Sequence, residues 1–73
     1  MKKELRNRIP EFRARYRMTQ KQLAEKVGAS RQTIISIEKA RYTPSLILAM
    51  EIAEALKTSV DELFIYGEDS EDL

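Results

Sequence analysis

The chain has no cysteine and no histidine among its 73 residues. Without cysteine, neither a disulfide framework nor a thiolate zinc site can hold so small a fold together. Without histidine, the commonest metal ligand and the commonest general base are both missing. Glycine occurs only twice, at Gly28 and Gly67, so there is no glycine-rich loop to cradle a phosphate. The expectation is a protein that is not an enzyme, with no metal, cofactor or small-molecule substrate. Long apolar runs are absent too, none approaching the ~18–20 residues of a membrane span, and nothing at Met1 resembles a signal peptide. These absences suggest a cytoplasmic protein with no membrane partner, stabilised by its own core and helped by self-association.

What is present is charge, and it is unevenly placed. The net charge is only +1, yet residues 1–42 hold twelve Lys and Arg against four Glu, a net of +8. Residues 43–73 hold one Lys against eight acids, a net of −7. Such a layout offers one end to polyanions and keeps them off the other. By itself a charge run is only a solvated face, so the asymmetry gains weight from the motif inside the basic half.

The hydrophobic pattern is helical throughout. Leu5, Ile9, Phe12 and Tyr16 recur at helical spacing, and Pro10 is tolerated only in a first turn, so a first helix should begin near Ile9. Residues 2–8 before it have room to be extended. Thr19 with Gln22 three positions on is a capping box; Leu23, Ala24 and Val27 follow as a buried face, and Gly28 supplies the positive φ that ends this helix. Ser30 caps a third helix carrying Ile34 and Ile37. Thr43-Pro44-Ser45 is a turn before a fourth, Ser45–Leu56, with Leu46, Ala49, Ile52, Ala53 and Leu56 as its stripe. Ser59 with Glu62 opens a short fifth helix carrying Leu63 and Phe64. The sequence predicts an all-α, compact five-helix domain over residues 1–66, with room for a short extended segment at either terminus, and a frayed acidic tail over 67–73.

The informative pair is Thr19–Val27 and Ser30–Lys39, joined only by Gly28-Ala29. So short a turn makes two helices cross steeply, with Ala24 small at the close approach. The second helix then shows Arg31, Gln32, Thr33, Ile35 and Ser36 outward. Polar groups on the first turn of such a helix suit the major groove, where Arg forks onto guanine and Gln onto adenine; Ile35 could meet a thymine methyl.

The run Thr19–Glu38, then Pro44-Ser45-Leu46 and Val60-Asp61-Glu62-Leu63-Phe64, resembles the lambda-repressor/Cro-type helix-turn-helix (XRE) family, most of all its short stand-alone members. The likeness spans about Arg8 to Phe64. It implies a five-helix lambda-repressor-like fold, operator binding as a homodimer, and transcriptional regulation, usually repression. By position it assigns base reading to Arg31, Gln32 and Ser36, with Thr33 beside them. It assigns phosphate contacts to Gln20, Ser30, Lys39, Arg41 and Tyr42, and a structural ion pair to Arg13 and Glu38. The departure is Lys39-Ala40, where the family usually has Gly in a left-handed conformation; Ala there costs on the order of 1 kcal/mol.

Lys2, Lys3, Arg6 and Arg8 are either an arm reaching phosphates or a loose terminus. Tyr16, Met18 and Met50 read as core or rim packing. Leu63, Phe64, Ile65 and Tyr66 either close the core or form a dimer seam, with an added strand as one form of it. The competing function is an antitoxin or adaptor that uses the same fold mainly to bind another protein.

Overall fold

The computed structural model describes residues 3–68. Its chain order is β1 (Lys3–Asn7), α1 (Ile9–Arg15), α2 (Gln20–Val27), α3 (Arg31–Glu38), α4 (Leu46–Ala55), α5 (Val60–Leu63) and β2 (Phe64–Glu68). Each helix start follows from a side chain beside it. The Thr19 hydroxyl accepts from the Gln22 N–H at 3.0 Å while the Gln22 side-chain Oε1 accepts from the Thr19 N–H at 2.9 Å, a complete capping box. Ser30, Ser45 and Ser59 each accept from the backbone N–H three residues on. At Ser59 the reciprocal half is missing, because the Glu62 carboxylate takes the Thr58 hydroxyl instead.

Helix ends are less conventional. Gly28 turns left-handed at φ 72° after α2, as its position predicts. Arg17, Ala40 and Lys57 do the same after α1, α3 and α4, at φ 52°, 59° and 57°. In each case two backbone bonds close a Schellman motif, as with Ala40 N–H to Ile37 and Arg41 N–H to Ser36 after α3.

The core is Ile9, Phe12, Leu23, Ala24, Ile34, Ile37, Ile52, Ala53, Leu56 and Leu63, with Met18, Val27, Leu48 and Phe64 packed against it. On the surface of α1, Arg8 and Glu11 form an exposed pair at 2.6 Å. Their hydrogen bond holds the Glu11 carboxyl below its ordinary range and the Arg8 guanidinium above its own. Among the described residues no helix is long and apolar enough to cross a membrane.

Several sequence expectations are corrected. All-α is only approximate, because β1 and β2 pair antiparallel, Lys3 against Glu68 through Asn7 against Phe64. Leu5 therefore sits on a strand and not on the α1 stripe, and β2 runs two residues into the stretch expected to be tail; residues 69–73 lie outside those described. Tyr16 is exposed, with the Lys57 Nζ 5.6 Å from its ring centre. Leu46, counted in the α4 stripe, is 70% exposed, although Leu48 in the same turn packs against the core. Leu63 is fully buried, so it serves the core and no dimer seam. Of its proposed companions Phe64 is half-buried, while Ile65 and Tyr66 remain exposed on β2.

Candidate nucleic-acid interface

The site is built by the α2–α3 pair. Ile34 and Ile37, both buried, fix one face of α3 against the core. Helical spacing then turns the remaining positions outward. Arg31 and Gln32 are exposed, while Thr33, Ile35 and Ser36 are half-buried on its flank. The Gln32 amide N–H reaches the Ser36 hydroxyl at 3.4 Å, laying the amide along the face one turn toward the C-terminus.

The first turn of α3 is more committed than its sequence suggests. Ser30 Oγ caps the Thr33 N–H at 3.0 Å and lies 2.9 Å from Thr33 Oγ1. Two hydroxyls sharing one bond leave one O–H free to donate outward. Beyond α3, Lys39, Arg41 and Tyr42 are all exposed. Tyr42 lines a shallow hollow of about 220 Å³ together with Ser30, Gln32, Thr33 and Ser36. The structure thus brings Tyr42 to the face expected to read bases.

Behind this surface stands a partly buried polar hub. Glu38, 8% exposed, accepts from Arg13 Nε at 2.8 Å and Nη2 at 3.3 Å. Arg13 Nη1 also donates to the Met18 carbonyl at 2.9 Å, so the guanidinium ties α1 and the turn after it to the end of α3. The pair expected from the resemblance is present in geometry. Gln20 enters the same hub, its Nε2 donating to Glu38 Oε1 at 2.9 Å. Its amide is held from behind, leaving the carbonyl oxygen and one N–H for other partners.

Sequence reading missed Asn7. Its Nδ2 donates to the Ile37 carbonyl at 2.9 Å, and its Oδ1 accepts from the Ile9 N–H at 3.1 Å. One side chain thereby starts α1 and satisfies a carbonyl at the end of α3. The signal was legible in part: Asn two residues before a helix start is an Asx-turn pattern.

Residues 11–63, most of the chain, match the helix-turn-helix family model. The chain belongs to the lambda-repressor/Cro (XRE) helix-turn-helix family. Among its relatives is an uncharacterized HTH-type transcriptional regulator of Archaeoglobus fulgidus, 51% identical over 65 residues, covering 89% of this chain and 93% of that protein. The immunity repressor of Bacillus phage phi105 is 41% identical over 63 residues, covering 86% of this chain but 42% of the phage protein. Among solved structures, a putative DNA-binding protein from Bacteroides fragilis superposes with a TM-score of 0.75 at 31% identity, covering 84% of this chain and 98% of that one. As a member of this family, the XRE protein is a short DNA-binding transcriptional regulator.

Proposed function

We propose that this XRE protein represses transcription by laying α3 in the major groove of a specific operator, as a two-fold pair. The observation that carries the reading is the division of α3 into a face sunk in the core through Ile34 and Ile37 and a face left open at Arg31 and Gln32. Arg31 forks onto guanine and Gln32 onto adenine, with Ser36 and Thr33 bordering the same base edges. Gln20, Ser30, Lys39, Arg41 and Tyr42 flank them and clamp the phosphates on either side. Repression follows from occupancy, as the name of the phage relative suggests. The named relatives give no support to the antitoxin or adaptor reading.

Selection of duplexes from a random pool tests this directly. It should return a preferred sequence with two-fold symmetry. Gln32→Ala should then relax the preference at one position per half-site, costing roughly 1–3 kcal/mol there and little elsewhere. An unchanged binding profile across sequences would show that the reading positions are misassigned.

A further inference from the structure

Gln20 is the first residue of α2 and is half-buried. Its primary amide has two ends of opposite sign, a carbonyl oxygen and an NH2 group. The NH2 group attracts a phosphate and the oxygen repels it. An unrestrained amide must select the productive orientation on binding, at a cost in affinity. In this chain the selection is made beforehand. Gln20 Nε2 donates to Glu38 Oε1 at 2.9 Å, and a carboxylate only accepts. The reversed amide would set one oxygen against another.

Glu38 is itself held in place. Its two oxygens take Arg13 Nε and Nη2, and Arg13 is anchored in turn on the Met18 carbonyl. From β1, Asn7 fixes the last turn of α3 at the Ile37 carbonyl, one residue before Glu38. The guanidinium also offsets the carboxylate charge, so the hub presents no net charge to a polyanion. We infer that Glu38 is a positioning residue for DNA binding, presetting the Gln20 amide so that its remaining N–H faces a phosphate of the duplex. The Arg13–Glu38 pair then does two things, tying α1 to α3 and aiming a side chain of α2. This deepens, and rests on, the reading of Gln20 as a phosphate contact.

A double-mutant cycle on duplex affinity tests it, with the selected operator and an unrelated duplex of equal length. Gln20→Ala should weaken both roughly tenfold, the loss of one charge-assisted bond. Glu38→Gln should weaken both roughly threefold or more and leave the preferred sequence unchanged. The sign is diagnostic, because removing a negative charge by itself tightens binding to a polyanion. In the Gln20→Ala background, Glu38→Gln should cause no further loss. A gain or no change from Glu38→Gln alone, or an equal loss in both backgrounds, overturns the positioning role and leaves Gln20 a phosphate contact. If Gln20→Ala itself changes nothing, the phosphate reading of Gln20 fails and takes the inference with it. Circular dichroism checks that each variant is folded. Should Glu38→Gln fail to fold, the side-chain amide NMR signals of the native chain still decide. One Gln20 Nε2 proton should lie downfield in the free protein, and the other should shift on adding the operator. Two protons at free-amide positions overturn the preset.

Discussion

Three residues with a Cβ occupy left-handed positions that glycine fills without strain. Ala40 is the informative one, because its side chain is exposed and joins no hydrogen bond. The left-handed region costs an L-residue roughly 1–2 kcal/mol, and glycine returns part of the gain as unfolded-chain entropy. Ala40→Gly should therefore stabilise the fold by about 0.5–1 kcal/mol, read as a higher melting temperature; no change or a decrease would contradict the conformation. Gly28 gives the converse check. A Cβ built there meets nothing within 4 Å, so its need for glycine is conformational alone. The Arg13–Glu38 pair answers to a different physics. Glu38→Ala strands a largely buried guanidinium and frees Gln20, so the loss should be about 3 kcal/mol, the lower end of the buried range because Arg13 keeps the Met18 carbonyl. Glu38→Gln should cost less, since a neutral acceptor remains. Denaturant titration of the two variants separates these outcomes, and equal losses would mean that charge contributes nothing there.

At the scale of elements, helices were legible because their signals are local. Thr19, Ser30, Ser45 and Ser59 announce helix starts within three residues of the N–H groups they satisfy. The sheet was not legible, because β1 and β2 pair residues some sixty positions apart and each strand is five residues long. Leu5 even fits the α1 spacing by coincidence. Exposure of Leu46 escaped for a related reason: periodicity gives the direction of a side chain but not whether another element reaches it. Of the candidate site, the outward set on α3 follows from helical spacing, whereas the Gln20–Glu38 bond and the hollow shared by Tyr42 and Gln32 are tertiary facts. Asn7 joins the two levels, binding the end of α3 from the end of β1. Asn7→Ala removes the bonds to the Ile37 carbonyl and the Ile9 N–H together with a long one to the Glu38 carbonyl, and the two shorter ones amount to about 2 kcal/mol net. Hydrogen exchange should show the Ile9 amide losing protection first, together with amides of β1. If the loss spreads evenly over the chain, Asn7 is no local clamp.

The whole molecule is electrically divided, and the division lines up with the proposed DNA-binding face. Arg31, Lys39 and Arg41 lie on or just beyond α3, while Glu51, Glu54 and Glu62 crowd α4 and α5. A duplex approaching the acidic side is repelled, so the field orients the encounter before any base is read. This makes salt dependence a sharper probe than affinity. Each phosphate neutralised by Lys or Arg releases counterions and adds about 0.9 to the slope of log affinity against log salt. Arg41→Ala should weaken all duplexes alike and lower that slope by about one per protomer, hence by about two for a dimer on a full operator. Gln32→Ala, by contrast, should leave the slope alone and change only the preferred sequence. The number is diagnostic as well as the sign. A drop near two measures two protomers on one duplex, a drop near one measures a single protomer, and no drop removes Arg41 from the phosphate contacts. Glu54→Gln is the matching control on the acidic side. It raises net charge by the same amount that Arg41→Ala lowers it, yet it belongs to none of the proposed DNA contacts, so the slope should stay where it was.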